Sequence, residues 1–189
     1  MGKELNCEFK TLLTKKEYLR ILNEFPNMPG NLQINYYFDT SRFTLKASDI
    51  GLRVRKRDIY EITYKRKRGY AIQEREETIS EEQFKNFIEN GVIPSEPIAK
   101  EINEIARDQK IINYMDLSTY RTTIPYLNGY IYLDKCEYVG ETDYELLYVC
   151  SSNEQGKKDF VEIVHKFNIE YKKSDAKIKR AYTAYRKKM

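Results

Sequence analysis

The amino-acid sequence predicts an α+β fold, a closed eight-stranded antiparallel β barrel with flanking helices. The first observation is that apolar and polar residues alternate in about eight short runs, and a period of two is typical of β-strands. The second is that helically spaced apolar stretches lie between and after these runs. About eight strands are enough to close a barrel whose interior holds side chains or one small ligand.

Five of the strands are predicted in the first 80 residues. Their ranges are 4–9, 34–38, 51–57, 59–67 and 71–79. Thr14 begins a T-K-K-E capping box, which predicts a helix between the first two strands. Ser80 begins a similar box after the fifth strand, and Ile98, Ile102 and Ile105 indicate a further helix.

Three more strands are predicted after these helices, followed by a helical C-terminal region. The strand ranges are 117–125, 129–139 and 143–150, and Asn128-Gly129 suits a hairpin turn between two of them. Helices are expected near 160–167 and 175–187. The apolar stripes of all these helices are interpreted as core contacts, and the lone His165 as structural.

Length and composition indicate a single domain over residues 1–189 in the cytoplasm. A chain of 189 residues can bury a full core. No apolar stretch approaches the roughly 20 residues of a membrane helix, so no membrane partner is expected. Cys7, Cys136 and Cys150 show neither zinc-site nor disulfide-framework spacing, which favours a reducing compartment. The net charge of +4 does not by itself imply nucleic-acid binding.

Charged residues share one face on several of the predicted strands, opposite the apolar residues. These sets are Glu4, Asn6, Glu8 and Lys10; Arg53 and Arg55; Thr63, Lys65 and Lys67; Glu74 and Glu76; and Asp143 and Glu145. A single run of this kind is more often a solvated face. Inside a closed barrel, however, such faces need a ligand or compensating charges, because unpaired buried ions are strongly disfavoured.

The mixture of acids and bases indicates two ligands. Clustered carboxylates suit a hard cation such as Mg²⁺ or Mn²⁺, whereas Arg and Lys suit phosphate oxygens that the metal would bridge. This combination is typical of phosphoryl transfer. The partner expected from it is a small, triphosphate-like molecule.

Seven sequence segments resemble, in order and spacing, the CYTH superfamily, also called the triphosphate tunnel metalloenzymes. The segments are ELNCEFK, NYYFDT, GLRVRKR, YEITYKRK, YRTTI, IYLDKCEYVGETDYELLY and AKIKRAY. The family includes thiamine triphosphatases, inorganic triphosphatases and class IV adenylyl cyclases. The resemblance runs nearly end to end and implies an eight-stranded antiparallel tunnel with charged residues inside.

The resemblance also implies roles for individual residues. The implied phosphate-binding residues are Lys10, Arg53, Arg55, Lys65, Arg121, Lys177 and Arg180, and Lys67 joins them because it shares a strand face with Lys65. The implied metal ligands are Glu8, Asp134 and Glu145, with Asn6 of the opening motif as a further candidate. Glu74 and Glu76 are candidates from their shared strand face. The residues that carry catalysis are expected to be Glu8, Lys10, Lys65 and Arg121.

Two positions depart from the family pattern on its acidic side. Asn6 replaces the first glutamate of the opening motif, and Leu147 stands where many members have a second glutamate after Glu145. Asparagine offers a carbonyl oxygen without charge, and leucine offers neither. The leading hypothesis is metal-dependent hydrolysis of inorganic triphosphate or an organic triphosphate such as thiamine triphosphate.

Three alternatives remain open at this point. The first is a polyphosphate- or nucleotide-binding protein with weakened catalysis, suggested by Asn6 and Leu147. The second is a class IV-type adenylyl cyclase, because the family shares its fold. The third, and the least favoured, is nucleic-acid binding by the basic segment 53–68, in which Tyr60 and Tyr64 could stack on bases.

Overall fold

The computed structural model describes residues 7–189, which contain eight strands and six helices. The strands are β1 (Cys7–Leu13), β2 (Gly30–Thr40), β3 (Ile50–Lys56), β4 (Tyr60–Arg68), β5 (Ala71–Ile79), β6 (Ile111–Tyr126), β7 (Gly129–Tyr138) and β8 (Glu141–Cys150). The helices are α1 (Lys15–Glu24), α2 (Thr44–Ala47), α3 (Glu81–Asn90), α4 (Glu96–Ala106), α5 (Asn153–Lys166) and α6 (Lys177–Lys187). Only the four-residue α2 was absent from the sequence predictions.

The eight strands form one sheet, but the prediction that this sheet closes into a barrel is wrong. The strand order is β1-β8-β7-β6-β2-β3-β4-β5, and within residues 7–189 no ladder joins β1 to β5. The pairings of β1 with β8, β7 with β8, β2 with β3, β3 with β4 and β4 with β5 are antiparallel. The α+β class and the strand number are therefore confirmed, and closure into a tunnel is not.

Eight strands do not by themselves close a sheet, and the outer edges of β1 and β5 show why. On β1, the backbone N–H of Leu12 donates to the carbonyl of Lys172 at 3.2 Å. The N–H of Lys172 in turn donates to Thr11 Oγ1 at 2.9 Å. The segment before α6 thus occupies part of this edge. On β5, Glu74, Arg75 and Glu76 are exposed, and charged side chains on an edge strand disfavour further strand pairing.

The chain divides into two compact units. The first contains the described residues up to Leu32 together with Ser118–Met189, and the second contains Gln33–Leu117. In the first unit, the apolar face of β1, β7 and β8 packs against α1 and α5. Its buried members include Leu13, Ile21, Leu133, Leu146, Tyr148, Ile163 and Phe167. The face of the sheet opposite this core is left for polar side chains.

The second unit repeats this arrangement with β3, β4, α3 and α4. Leu52, Val54, Ile62 and Tyr64 point from the strands into a core that contains Phe84, Phe87, Ile98 and Ile102 from the helices. The rings of Phe38 and Phe87 stack with centroids 4.0 Å apart. Because side chains alternate along a strand, Arg53 and Arg55 lie on the face opposite this core. No helix within residues 7–189 combines the length and apolar character needed to cross a membrane.

A buried carboxylate fastens α5 to the sheet of the first unit. Asp159 is 3% exposed. It accepts hydrogen bonds from Tyr148 Oη at 2.7 Å, Gln155 Nε2 at 2.7 Å and Asn128 Nδ2 at 3.1 Å. Burial opposes ionisation, but these donors favour the charged form more strongly, so the pKa of Asp159 lies below its usual value.

We expect Asp159→Asn to lower the free energy of unfolding at pH 7 by about 1–3 kcal/mol, because the amide cannot accept all three hydrogen bonds. The folded-state pKa of Asp159 is depressed, so its contribution is complete above the unfolded value, about 3.9, and is lost as the pH falls through the folded value. Urea unfolding of both proteins at pH 7 and at pH 3 would measure this. If the two proteins differed in free energy of unfolding by the same amount at pH 7 and at pH 3, the stabilising role of ionised Asp159 would be contradicted.

Candidate functional site

In the first unit, the strand register places charged residues on one face of neighbouring strands. Asp134 on β7 is directly opposite Glu145 on β8. Lys10 on β1 is directly opposite Leu147, two residues further along β8. Directly opposed residues share a face, so these side chains belong to the polar face of the sheet.

Helix α6 adds two cations to this face. Lys177 and Arg180 are three residues apart and therefore lie on the same side of the helix. The side chains of Ala181 and Ala184 are buried, which lets α6 pack closely. Together with Ser174 from the segment before the helix, these cations contact the carboxylates of β7 and β8. We call this set of residues the acid–base cluster: Arg121, Asp134, Asp143, Glu145, Ser174, Lys177 and Arg180.

Asp134 is held from two sides and is 0% exposed. Arg121 on β6 binds it with both prongs of the guanidinium, Nε to Oδ1 at 2.8 Å and Nη2 to Oδ2 at 2.7 Å. The same guanidinium lies 4.3 Å from the ring centroid of Tyr132. Lys177 Nζ is 3.0 Å from Asp134 Oδ2 and also donates to Glu145 Oε2. Lys177 therefore bridges the two opposed carboxylates.

Arg180 makes the second set of contacts in the acid–base cluster. Its Nε donates to Asp143 Oδ2 at 2.7 Å and its Nη2 to Asp143 Oδ1 at 3.1 Å. Its Nη1 donates to Glu145 Oε1 at 2.9 Å and to Ser174 Oγ at 2.9 Å. Ser174 Oγ also donates to Glu145, and Tyr138 Oη donates to Asp143. Both oxygens of Glu145, which is 1% exposed, are thus engaged.

The ionisation of the cluster follows from these contacts. Burial alone would lower the pKa of Lys177. The nearby charges of Asp134 and Glu145 raise this pKa by more than burial lowers it, so the net shift is upward. Burial is likewise outweighed at Arg180 by Asp143 and Glu145, and at Arg121 by Asp134, so both pKa values rise. Beside them, burial raises the pKa of the Cys136 thiol to about 12. The three cations stay charged at any physiological pH.

In the second unit, the polar face of β3 carries arginines whose hydrogen-bond partners are neutral. Arg53 Nη2 donates to Thr63 Oγ1 at 3.3 Å, and Arg55 Nε donates to Asn35 Oδ1 at 3.2 Å. Arg53 Nε is buried without an acceptor among the described residues. Burial and the like charges of Arg53 and Arg57 lower the pKa of Arg55, and Glu61, directly opposite on β4, and Glu76 only partly oppose this shift. This face therefore has positive charge that the described side chains do not neutralise fully.

The remaining predicted residues of the second unit are more exposed. Lys65 and Glu74 are directly opposite on β4 and β5 and form an ion pair of 3.2 Å at the surface. Glu76 accepts a hydrogen bond from Thr63 Oγ1 at 3.3 Å, and the same hydroxyl accepts one from Arg53. Lys67 is exposed near the end of β4. Arg53, Thr63 and Glu76 are thus the part of this face that is connected by hydrogen bonds.

A match to a known domain family covers almost the whole chain. The CYTH domain model matches residues 4–182 of the chain. The chain belongs to the CYTH domain family. Over 191 residues it is 28% identical to a Bacillus subtilis (strain 168) protein named "Putative triphosphatase YjbK", with 99% of each chain covered. The resemblance noted in the sequence is therefore confirmed at the family level.

Two solved structures resemble this CYTH chain over nearly its whole length. A Bacillus halodurans protein described as "a putative adenylate cyclase" is 30% identical, with a TM-score of 0.72 and coverage of 95% of this chain and 98% of the other. A Hippeastrum protein, HpAC1, is 18% identical, with a TM-score of 0.72 and coverage of 96% and 95%. It is described as a putative adenylyl cyclase with "a dominant triphophatase activity", and at that identity the likeness to this chain is one of fold.

The structure brings together five of the residues that the sequence singled out: Arg121, Asp134, Glu145, Lys177 and Arg180. The arginine and lysine members contact carboxylates. Glu8 is exposed on β1 opposite Val149, and Lys10 is half-buried. Asn6 lies outside the described residues. The individual roles of all these residues stay predictions.

Two members of the acid–base cluster, Asp143 and Ser174, and the neighbouring Tyr138 were not among the predicted metal or phosphate ligands. All three contact other members of the cluster directly. Asp143 had a signal, because it shares its strand face with Glu145. Ser174 had none, since its contact with Glu145 depends on how the segment before α6 folds back on β1.

The chemistry of the carboxylates fits one partly hydrated divalent cation rather than a dedicated metal cage. Within residues 7–189, no three Asp, Glu, His or Cys side chains are grouped to hold a metal ion. Asp134 and Glu145 supply two carboxylates side by side. Mg²⁺ usually keeps several waters and binds through one or two carboxylates together with substrate phosphates. In the structure, however, every oxygen of Asp134 and Glu145 is already engaged by Arg121, Lys177, Arg180 or Ser174. The two carboxylates could therefore take such an ion only after Lys177 moves away from Asp134 Oδ2 and Glu145 Oε2.

Proposed function

We propose that this CYTH protein hydrolyses a short triphosphate, inorganic triphosphate or a small organic triphosphate, with Mg²⁺ or Mn²⁺. The observation that carries the proposal is the incompletely neutralised positive charge of Arg53 and Arg55. The arginine ion pairs within residues 7–189 involve Arg57, Arg75, Arg121 and Arg180, so neither Arg53 nor Arg55 is paired with a carboxylate there. The relatives named as triphosphatases support the choice of substrate.

The proposal gives Arg53 and Arg55 the role of binding phosphate oxygens. Guanidinium groups present several N–H donors in a fixed plane, which suits the oxygens of a phosphate chain. Bound phosphate would supply the acceptor that Arg53 Nε otherwise lacks. It would also offset the mutual repulsion that lowers the pKa of Arg55. Lys65 and Lys67 of the same unit are proposed to add further positive charge, and Lys10 is proposed to do so on the polar face of the first unit.

In the first unit, the proposal assigns the metal to Asp134 and Glu145. When bound, Mg²⁺ or Mn²⁺ supplies charge neutralisation at the phosphoryl oxygens. Arg121 fixes the orientation of Asp134 through two hydrogen bonds, and Arg180 with Ser174 fixes Glu145. Lys177 bridges the two carboxylates and would have to release them when the metal binds. Glu8 is proposed to accept the proton of the attacking water, as the bond from the terminal phosphorus to the leaving diphosphate breaks.

The test is an assay of phosphate release from inorganic triphosphate, thiamine triphosphate and ATP, each with Mg²⁺, with Mn²⁺ and with EDTA. We expect turnover of at least one triphosphate that stops with EDTA. Cyclic AMP would be measured in the ATP reaction, because one structural relative is described as an adenylate cyclase. Absence of phosphate release from all three substrates rejects the proposal, and cyclic AMP formation without phosphate release would favour the cyclase.

Leu147 provides the specific reason to keep a second candidate, a phosphate-binding protein with weak catalysis. Its side chain is 6% exposed and lies directly between Lys10 on β1 and Tyr132 on β7. A carboxylate at this position would share the polar face with Glu145, two residues away. The leucine itself supplies no oxygen to a metal there.

We expect Leu147→Glu to raise turnover of inorganic triphosphate at limiting Mn²⁺ by about tenfold, because a third carboxylate strengthens metal binding. Lys10, directly opposite, can pair with the new charge and offset part of its burial cost. The measurement is the Mn²⁺ concentration for half-maximal rate. Leu147→Gln is the control of matching shape, and an equal effect of both substitutions would contradict a role for the charge.

A further inference from the structure

Two of the three cysteines, distant in sequence, are neighbours in the sheet. Cys7 on β1 and Cys150 on β8 are direct partners in the antiparallel ladder. Directly opposed residues point to the same side, and both side chains pack against the apolar core of the first unit. Both are free thiols in the structure. Cys136, by contrast, is buried on β7 and contacts Thr119 Oγ1 at 3.8 Å.

The ladder geometry brings the two thiols within the range of a disulfide. Leu12 N–H points to Lys172 and therefore away from β8. Alternation along β1 then puts Cys7 in a hydrogen-bonded pair, for which the Cα separation is about 5.5 Å. Disulfides span Cα distances of about 4.4–6.8 Å. No change of register is needed to join the two residues.

We propose that Cys7 and Cys150 form a reversible intramolecular disulfide when the protein meets a peroxide oxidant. The pair would be a thiol-based modification site next to Glu8, in the strand that also carries Lys10. Closing the bond ties the N-terminal end of β1 to the C-terminal end of β8. This inference does not depend on the proposed hydrolase activity.

The accessibility of the two sulfurs sets the order of the chemistry. Cys7 is partly exposed, whereas Cys150 is 2% exposed. The Cys150 sulfur is covered by α5, where a Cβ at Gly156 would lie 2.3 Å from it. Burial also raises the pKa of Cys150. Cys7 is therefore the thiol that meets the oxidant, and Cys150 is the one that resolves the product.

The reaction is balanced with hydrogen peroxide as the two-electron oxidant. The Cys7 sulfur attacks one peroxide oxygen, the O–O bond breaks, and Cys7 sulfenic acid and one water are formed. The Cys150 sulfur then attacks the Cys7 sulfur, the S–O bond breaks, and the hydroxide leaves with the Cys150 proton as a second water. A two-electron thiol reductant reverses the change by exchange through a mixed disulfide.

The same geometry favours a bond that is easily reduced. Opposed Cβ atoms in a ladder are about 4.5–5.5 Å apart, whereas a disulfide needs about 3.5–4.5 Å. Forming the bond must draw the two strands together by about 1 Å, and such strain raises the reduction potential. This argues for a redox-responsive pair rather than a permanent structural crosslink.

The test uses the full-length protein, treated with hydrogen peroxide, then alkylated in denaturant so that buried thiols also react, and mapped by mass spectrometry without reduction. Wild-type protein should lose two of its three alkylatable thiols and yield one peptide pair joining Cys7 to Cys150. Dithiothreitol should restore all three thiols. Cys136→Ser is the matched control, because it removes a buried cysteine of the same unit and should leave the crosslink intact.

Cys7→Ser and Cys150→Ser should each abolish the crosslink under the same treatment. Cys7 is partly exposed, so Cys7→Ser keeps the test decisive even if Cys150→Ser does not fold. Wild-type protein that retains three alkylatable thiols would overturn the inference. A disulfide that includes Cys136, or one that joins only separate chains, would overturn it as well.

Discussion

Replacing Arg53 by Met is expected to lower kcat/KM for inorganic triphosphate by about 100- to 1,000-fold, the usual cost of removing one preorganised charge-stabilising donor. The expectation rests on the proposed function. The fold should be affected little, because Arg53 gives up one long hydrogen bond to Thr63 and a buried Nε that has no acceptor among the described residues. Met fills a similar volume along the side-chain stem. Phosphate-release kinetics and urea unfolding would be measured on the same preparation.

Arg57→Met is the matched control for this experiment. It removes the same charge four residues further on, from a side chain that is 48% exposed and already paired with Glu61 at 2.7 Å. We expect kcat/KM within about threefold of wild type. Arg53→Lys should recover only part of the activity, because lysine restores the charge without the planar set of donors. Equal losses in Arg53→Met and Arg57→Met would show that net charge alone matters and would contradict phosphate binding by Arg53.

The secondary structure could be predicted because each element carries its own local signal. Thr14 and Ser80 begin capping boxes in the sequence, and both side chains cap α1 and α3 in the structure. The short α2 was missed because its signal is not periodic. Its backbone N–H groups at Leu45 and Lys46 donate to the buried Asp39, so a single carboxylate organises this turn.

The hairpin between β6 and β7 was predicted correctly, but its glycine has a different role from the predicted one. Asn128-Gly129 suggested the hairpin between β6 and β7, and the hairpin is present. Its turn, however, is Leu127-Asn128, with Leu127 at φ 48 and Gly129 already in β7. A Cβ at Gly129 would lie 2.1 Å from the carbonyl oxygen of Val149. The glycine is needed for close approach of two strands, which no local rule can show.

Neither the open edge of the sheet nor the pairing of its charges could be predicted, because both depend on contacts between segments far apart in sequence. The period of two placed Glu145, Arg53 and Arg55 on polar faces, and the family resemblance added Asp134. It could not show that Lys177 and Arg180 from α6 engage the two acids. It also could not show that residues near Lys172 occupy the edge of β1. The acidic half of the predicted site is consequently more fully neutralised than its sequence suggests.

That neutralisation predicts the largest effect on stability in the chain. Replacing Arg180 by Met should lower the free energy of unfolding by about 3–5 kcal/mol, because it leaves the half-buried Asp143 without a cation and takes one of two cations from the buried Glu145. Arg180 has a side chain only 10% exposed and forms ion pairs with Asp143 and Glu145. A loss of this size is a large part of the roughly 5–15 kcal/mol typical of a domain. Urea unfolding monitored by circular dichroism would measure it.

Lys179→Ala is the control on the same helix. Lys179 is 67% exposed and pairs with Asp175 across one helical turn, so its removal should leave the urea midpoint at the wild-type value. The double variant Arg180→Met with Asp143→Asn separates charge from packing. If the loss arises from an unpaired carboxylate, Asp143→Asn should be less harmful in the Arg180→Met variant than in the wild-type protein. Strict additivity of the two substitutions would show instead that Arg180 stabilises the protein mainly through packing of its side-chain stem.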